Sequence, residues 1–395
     1  MGLGAHTIPS LYSLADLIAL RSITPIHTGV GRSSGIVDLP IQRDEYGCPC
    51  IYSSSIKGAL KTTLLNVFMN EFMGNYDKAK KAVTALLGSE PEEEESFESS
   101  LAILDAYLLT MPVKSLKGVY VYVTSPLLLR RFSERLELLK SYLKENNEER
   151  EQKSKEVILF ETNNLEEFIN EVERHVRVNT AICLGAKKLD PKKCEEMIKV
   201  KELEDKVILA EEVILNIEAL NDKLRNVMEK LVSMLELEKP LLVLHDDIAK
   251  EVFDRSLIRL ARVRLKRETK IVETGPWTEE YLPPKTILYT LMLYKKPPLS
   301  YRFIRRFKDE QEGEVTEDDY LNALKKLRVL NEEKVQEIKS LSNPIEKAKK
   351  ITEGVRESVR NFIKERIKGY LILGGHETIG KGIMKIEFLD QVKIL

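Results

Sequence analysis

A chain of 395 residues can bury a large hydrophobic core, which excludes a disulfide-stapled miniprotein and a disordered tail. Its 62 Lys and Arg balance 63 Asp and Glu, which excludes a globally basic surface and requires any polyanion site to be local. Four cysteines without a CxxC pair predict buried thiols rather than a zinc site or disulfide scaffold, and no apolar run has the length of a membrane span.

The composition also predicts where the protein works. The N-terminus lacks a basic segment followed by a long apolar run, so we expect a soluble cytoplasmic protein without membrane contact. Charged residues make up 32% of the chain, whereas Gln occurs only 5 times. Because ion-pair networks stabilise a protein more strongly at high temperature, this composition predicts a thermophilic source.

In the N-terminal third, β-type and helical patterns alternate. Residues 14–23 predict a strand, 24–40 a long turn-rich loop, and 51–60 the start of a helical region that continues to 88. The acidic run 91–99 predicts a solvated loop. Residues 118–129 combine β-branched and aromatic side chains before a Ser-Pro turn, the pattern of a buried strand.

The remainder returns repeatedly from helical to strand patterns. Residues 133–175 and 186–238 predict helices, interrupted by strand-like segments at 157–161 and 175–185. After these come a strand and helix at 240–253, a charged hairpin from 258, a strand at 286–294, helices at 316–368, and two strands around a Gly-rich loop at the end. The whole predicts one α+β domain over 1–395, with a mostly helical insertion at 133–240 and a basic hairpin at 258–285.

The loop after the first strand is the first candidate site. It holds His27 and Asp38, a potential acid-base pair, among glycines that allow a ligand close to the backbone. The alternative is that Asp38 makes a local turn and that His27 is a hydrogen-bonded structural residue.

Two further segments suit a phosphate group. Ser53, Ser54, Ser55 and Lys57 offer hydroxyls and an ammonium at a helix start, although a serine is also a common helix N-cap. The loop Gly374–Gly382, including Gly374, Gly375, His376 and Lys381, can cradle phosphate or simply form a tight turn.

The hairpin concentrates positive charge. Its cations fit phosphate binding, although a solvated hairpin with protective charges is an equal alternative; they are Arg259, Arg262, Arg264, Lys266, Arg267 and Lys270. Trp277 and Tyr281 follow, either as core anchors or as platforms for bases.

Taken together, these segments resemble one family. Five segments occur in the order seen in RAMP-superfamily proteins: TPIHTGVGRSSGIVDLPIQRDEYGCP, SSSIKGALK, LLVLHDDIAKEVF, TGPWTEEYLPPKTILY and GGHETIGKG. The VDLPIQR motif within the first segment resembles the backbone subunit of type III-B (Cmr) CRISPR effector complexes, the fourth Cmr subunit. The resemblance reaches from residue 20 to 388.

The resemblance implies a fold and a set of site residues. The fold is a ferredoxin-like (RRM-like) palm with large helical insertions and a β-hairpin thumb. Asp38 matches the family's catalytic aspartate, His27 its loop histidine, and Glu279 and Tyr281 its Glu-x-Tyr pair, with Glu280 as the alternative register. Guide-contacting positions are matched by Arg43, Ser53, Ser55, Lys57 and Lys61.

The resemblance also implies the activity and the partners. Copies of such a chain stack along CRISPR RNA with other Cmr-type subunits in antiviral defence, and each thumb dislocates a nucleotide beside which target RNA is cut. Asp38 is then expected to bind a divalent metal, Mg²⁺ or Mn²⁺, because one carboxylate with waters and phosphate oxygens suits these ions. His27 is either a proton carrier or a residue that orients the loop.

Other functions stay open at this point. The chain could be a guide-binding scaffold without catalysis, a type III-A (Csm) backbone subunit, or a nuclease that processes CRISPR RNA alone. Ile51-Tyr52 stands where the family usually has Pro-Gly, which predicts a stiffer serine loop with altered phosphate contacts.

Overall fold

A computed structural model of the chain describes residues 14–90, 96–144, 162–186, 191–218, 231–295, 317–327 and 329–389. They form a mixed α/β fold, as predicted. The strands are β1 (Leu14–Ser22), β2 (Cys50–Ile51), β3 (Leu101–Ile103), β4 (Ala106–Ser115), β5 (Val119–Thr124), β6 (Thr180–Cys183), β7 (Val207–Leu209), β8 (Val213–Glu218), β9 (Leu241–Leu244), β10 (Ile258–Leu265), β11 (Val272–Tyr281), β12 (Ile287–Tyr294), β13 (Gly369–Ile372) and β14 (Ile383–Phe388). The helices are α1 (Ser53–Glu71), α2 (Tyr76–Leu87), α3 (Pro126–Lys144), α4 (Thr162–His175), α5 (Pro191–Ile198), α6 (Asp246–Ser256), α7 (Glu317–Lys326), α8 (Glu332–Ser340) and α9 (Pro344–Arg366).

Twelve of these strands form one large sheet. Its main path is β13-β14-β1-β12-β4-β5-β9-β6-β8-β7, with β2 paired to β4 and β3 paired to β12. The strand β1 lies between β12 and β14 and is antiparallel to both. Strands from the beginning, middle and end of the chain are therefore neighbours in the sheet. The sheet cannot be divided into two domains at a single point in the sequence.

The sheet is covered on both faces, and β1 shows how. Ile18 and Leu20 belong to the core shared with α1 and α2, whereas Leu17 and Ala19 belong to the core shared with α3 and α4. Successive side chains of a strand point to opposite faces, so a strand buried on both sides reads as an almost continuous apolar run. This explains the sequence LADLIAL.

One carboxylate in that apolar run is buried and ion-paired. Asp16 is 0% exposed, and the Nε atom of Arg360 lies 3.0 Å from its oxygens, with the Nζ atom of Lys364 at 3.5 Å. Both cations come from α9. Because an unpaired buried carboxylate is costly, this contact fixes α9 against β1.

The insertion departs from the expected structure. The prediction of helix throughout 186–238 is wrong at 207–218, which form β7 and β8 and extend the sheet. The run is rich in Val, Ile and Leu, and Ala210 and Glu211 between the strands adopt a left-handed backbone that permits a tight turn. The strand expected at 175–185 is confirmed as β6, whereas 157–161 and much of the acidic run, 91–95, lie outside the described residues.

The expected hairpin is confirmed as β10 and β11, a separate two-stranded sheet. With the exception of Arg262, every side chain from 259 to 276 is exposed. The second strand continues to Tyr281, so Trp277, Glu279 and Tyr281 lie within the base of the hairpin rather than after it.

Two expectations from composition can be compared with this fold. All four cysteines are free and buried, as predicted. In the ranges given above, no helix combines the length and the apolar character needed to cross a membrane.

Candidate functional site

The inner end of β11 organises the candidate site, because two segments of the loop after β1 attach to the same edge of this strand. The Ile26 N–H donates to the Leu282 carbonyl at 3.1 Å, and the Glu280 N–H donates to the Leu39 carbonyl at 3.1 Å. In an extended strand, N–H groups two residues apart point to the same side. The segments around His27 and Asp38 therefore lie side by side along β11.

Asp38 is held by a residue distant in the sequence. Its half-buried carboxylate accepts a 2.7 Å hydrogen bond through Oδ2 from the Thr278 N–H, 240 residues away. The alternative that its carboxylate only closes a local turn is therefore wrong. One carboxylate oxygen is engaged in orienting the side chain, which leaves Oδ1 for chemistry.

His27 is anchored two residues further along the same edge. It is 7% exposed, and its Nδ1 lies 2.7 Å from the Glu280 carbonyl, so Nδ1 carries the proton and donates it. A side chain at Gly29 would place its Cβ 2.7 Å from Nε2. The two anchor residues, Thr278 and Glu280, are two positions apart on β11, which separates their Cα atoms by about 7 Å. Asp38 and His27 are thus attached at neighbouring positions of the same strand edge.

Glu279 lies at the centre of a buried polar cluster. Its carboxylate accepts hydrogen bonds from the Tyr281 hydroxyl and, at 2.8 Å, from Trp277 Nε1. Arg262 Nη1 lies 3.5 Å and His376 Nε2 lies 3.6 Å from its oxygens. Glu279 and Tyr281 therefore share one face of β11.

These contacts shift the pKa values of both Glu279 and Tyr281. Burial by itself would raise the pKa of Glu279, but the hydrogen bonds from Tyr281 and Trp277, with the charges of His376 and Arg262, outweigh it and lower the pKa. Burial, together with the hydrogen bond to Glu279, raises the pKa of Tyr281 to about 12. At neutral pH, Glu279 is therefore an anion and Tyr281 a hydrogen-bond donor.

The Gly-rich loop packs directly on the His27 backbone. Gly374 has a φ of +80°, and a Cβ at this position would lie 2.0 Å from the His27 carbonyl oxygen. The Gly375 N–H donates to the same oxygen at 3.0 Å. The Nζ atom of Lys381 lies 5.4 Å from the Tyr281 ring centroid. Glycine is required at 374 because of this close approach.

His376 belongs to the same cluster; the sequence predicted a site in its loop but assigned no role to this side chain. Its ring centroid lies 5.5 Å from that of His27 and 6.1 Å from that of Tyr281. The sequence offered only one signal, an ionisable side chain within a glycine-rich loop.

The Glu280 side chain lies on the opposite face of β11 from Glu279 and forms a second buried network. It is 1% exposed, and Arg43 and Arg259 each lie 3.1 Å from its carboxylate, while Asp254 contacts both arginines at 2.9 Å. Its Oε2 also accepts the Ile41 N–H at 3.3 Å. Arg43, expected to contact the guide, is thus engaged within the chain instead of presenting an unpaired guanidinium.

The serine segment forms the first turn of α1, after the N-cap. Tyr52 is the N-cap and makes no side-chain capping bond, so the alternative of a serine N-cap is wrong. Asp105 Oδ1 accepts the Ser53 N–H at 2.6 Å, and Ser55 Oγ accepts from Gln42 Nε2 at 3.0 Å. Ser54 is exposed.

The two lysines of α1 have different surroundings. Lys61 donates to the Ser89 carbonyl at 3.0 Å and to Glu90 at 2.9 Å, so its charge is already paired. Burial and the nearby Lys61 lower the pKa of Lys57. A bound phosphate would therefore stabilise the charge of Lys57 more than that of Lys61.

The hairpin presents its cations to solvent. Arg264 is 72% exposed and pairs with Glu273 at 3.0 Å, and Lys266, Arg267 and Lys270 at the tip are exposed. Apolar side chains share this surface: Leu260, Val263, Leu265, Ile271 and Val272. Such a mixture of charge and exposed apolar groups suits a partner with phosphates and stacked bases.

The donor set around Asp38 limits how a metal ion could bind. Within the part of the chain that the structure describes, no three His, Cys, Asp or Glu side chains are grouped so as to hold an ion. One carboxylate oxygen fits only an ion that keeps most of its waters or takes oxygens from a bound substrate, as Mg²⁺ and Mn²⁺ do.

Comparison with known proteins places this arrangement in context. The family model described as the RAMP superfamily matches residues 19–385. A curated relative, the CRISPR system Cmr endoribonuclease Cmr4 of Pyrococcus furiosus, is 31% identical over 71% of this chain and 81% of its own length. The CRISPR system CMR subunit Cmr4 of Saccharolobus solfataricus is 31% identical over 97% of this chain and 99% of its own. A chain in the cryo-EM structure of type III-B Cmr-beta bound to cognate target RNA superposes with a TM-score of 0.56 and 28% identity, covering 96% of this chain and 98% of that one.

Proposed function

The chain belongs to the RAMP superfamily and, within it, to the Cmr4 subunits of type III-B CRISPR complexes, and we propose that it binds CRISPR RNA and cuts complementary target RNA as a repeated backbone subunit. The observation that carries the proposal is the position of Asp38. Its carboxylate is oriented by Thr278 at the base of an exposed, basic hairpin. A reactive group is thereby placed where the hairpin would engage a bound duplex.

The palm of the proposed subunit is ferredoxin-like. Four neighbouring strands of the sheet, β14-β1-β12-β4, correspond to the fourth, first, third and second strands of a β-α-β-β-α-β unit. α1 lies between β1 and β4 in the chain, and α9 lies between β12 and β14. This topology supports the finer fold assignment implied by the sequence resemblance.

The hairpin of β10 and β11 acts as the thumb. In a stacked A-form duplex, the 2′-oxygen, phosphorus and 5′-oxygen are not in line, so the backbone must be distorted before it can be cut. Extruding a nucleotide costs a few kcal/mol, which binding along the remaining duplex offsets. The exposed apolar and cationic side chains of the hairpin suit this task, and the distorted position then determines where the RNA is cut.

Asp38 acts on the 2′-hydroxyl at the distorted nucleotide. A positioned carboxylate that accepts this proton contributes about 10²–10⁴-fold to the rate. If a divalent cation is required, Asp38 would hold it, and the ion would neutralise charge on the phosphate. Glu279 and Tyr281 do not need to reach the RNA in this scheme, because they maintain the β11 end to which Asp38 is attached.

Guide binding requires only a local basic strip, which agrees with the balanced net charge. Among the predicted guide contacts at the start of α1, Ser54 is exposed and Lys57 is half-buried. Sequence specificity comes from base pairing, while the protein reads backbone shape. The chain works in the cytoplasm, with further copies of itself and other Cmr-type subunits along one guide.

The test is a pair of Asp38 substitutions in the assembled complex. Asp38→Asn keeps an oxygen that can accept the Thr278 N–H, so assembly and guide retention should be unchanged while target cleavage falls about 10²–10⁴-fold. Asp38→Ala should lose both cleavage and the loop contact. Asp247→Asn is the matched control, since the Asp247 side chain is 87% exposed on α6. Unchanged cleavage by Asp38→Asn would instead support a non-catalytic scaffold.

A further inference from the structure

The cluster around Glu279 differs in how far its members reach toward solvent. His27 is 7% exposed, Glu279 1% and Tyr281 0%. The side chain of His376 is 30% exposed. Of the two imidazoles in the cluster, His376 is therefore the one that a substrate can approach without any rearrangement of the fold.

The backbone of His376 is held in an uncommon conformation. Its φ is +68°, in the left-handed region that residues other than glycine adopt infrequently. Its carbonyl accepts hydrogen bonds from the Ile379 N–H at 3.1 Å and the Lys381 N–H at 3.3 Å. Such a conformation persists when the surroundings fix it, and it occurs frequently at functional sites.

The imidazole itself is oriented by a carboxylate. His376 Nε2 lies 3.6 Å from Glu279 Oε1, so this ring nitrogen faces the buried carboxylate. The other groups that face this pair are His27, Tyr281 and Arg262, with Lys381 in the same loop. An imidazole oriented by a buried carboxylate is an arrangement used for proton transfer.

We propose that His376, as an imidazolium paired with Glu279, gives a proton to the 5′-oxygen that departs when the target RNA is cut. The inference rests on the proposed function and assigns the acid that the reaction needs. The 2′-oxygen forms a bond to phosphorus and loses its proton to Asp38. The bond from phosphorus to the 5′-oxygen breaks, its electron pair remains on that oxygen, and His376 supplies the proton. The products are a 2′,3′-cyclic phosphate and a 5′-hydroxyl.

Glu279 is then a positioning residue, since it acts through His376. Because Nε2 faces Glu279, the proton is given from Nδ1. This division of roles also accounts for the burial of Glu279, whose function is to hold the imidazole and its charge.

The test uses His376→Asn in the assembled complex. Asn tolerates the left-handed backbone but cannot act as an acid, and His376→Gly provides a second variant that suits this φ. Glu377→Gln is the control, because Glu377 is exposed in the same loop. Each complex is given two target RNAs, one unmodified and one with a sulfur in place of the bridging 5′-oxygen. A departing thiolate needs no proton.

The expected result is a selective defect. His376→Asn should cut the unmodified RNA about 10²–10⁴-fold more slowly, yet cut the sulfur-containing RNA at nearly the wild-type rate. An equal loss on both RNAs would show a structural role and overturn the inference, as would an unchanged rate on the unmodified RNA. A wild-type complex that cuts neither RNA would overturn the proposed function itself, and this inference with it.

Discussion

Arg43 and Glu280 form an ion pair in which the glutamate is buried and the arginine is partly exposed. Their Nη2 and Oε2 atoms are 3.1 Å apart, and the glutamate side chain is 1% exposed whereas the arginine side chain is 29% exposed. Arg259, at the first strand of the hairpin, binds the same carboxylate. The buried Glu280 therefore fixes the Asp38 loop to the hairpin base, and Asp254 ties α6 to the same two arginines.

Removing that carboxylate should destabilise the chain. Glu280→Ala leaves two arginines and the Ile41 N–H without their shared acceptor, and we expect a loss near the lower end of ~3–5 kcal/mol, because the arginines retain Asp254 and some solvent. Chemical denaturation of the full chain measures this loss.

The matched control for Glu280 is Glu273→Ala. Glu273 pairs with Arg264 on the exposed part of the same hairpin, so its removal should cost less than about 1 kcal/mol. Equal effects of the two substitutions would show that the buried network does not fix the hairpin.

Gly374 and Gly380 provide a second matched pair. Both have positive φ, but an added Cβ meets the His27 carbonyl at Gly374 and nothing within 4 Å at Gly380. Gly380→Ala should cost about 1–2 kcal/mol for the left-handed backbone alone. Gly374→Ala should cost clearly more and should also reduce cleavage, because the loop must move away from His27. Indistinguishable denaturation midpoints would contradict the close approach.

Glu279 should contribute a pH-dependent part of the stability. Its folded pKa lies below the unfolded value of about 4.3, so the stabilisation by the ionised carboxylate is fully present above that pH. It is lost as the pH falls through the folded pKa. Wild type should therefore be more stable than Glu279→Gln at pH 7, and the difference should shrink below about pH 4.3 in denaturation experiments. A constant difference across this range would contradict the lowered pKa.

The hairpin tip should contribute to the salt dependence of RNA binding. If Lys266 and Arg267 contact phosphates, replacing both with Ala should lower the slope of log affinity against log salt concentration by about 1–2. Lys114→Ala is the control, since Lys114 is 80% exposed and pairs with Glu211 away from the hairpin. Target-RNA titrations of assembled complexes at several salt concentrations measure the slope. Equal slopes for wild type and the double variant would exclude phosphate contacts at the tip.

The sequence alone was sufficient for those features that a local pattern encodes. The apolar runs of β1, β5 and β12, the charged hairpin and the Gly-rich loop all follow from side-chain periodicity and turn residues within one short segment of the chain each. The motif loop with His27 and Asp38 was recognisable for the same reason. Where a local pattern was ambiguous, as at 207–218, an apolar segment expected to be helical forms strands because neighbouring strands offer it hydrogen bonds.

Only the tertiary structure decided which of these residues meet. Asp38 is oriented by an N–H group 240 residues away, and the adjacent Glu279 and Glu280, equivalent in sequence, enter different networks because neighbouring side chains of a strand point to opposite faces. The same long-range packing engages Arg43 within the chain and brings His376 against Glu279. No local pattern determines such contacts, since they depend on the register in which distant strands and loops pair.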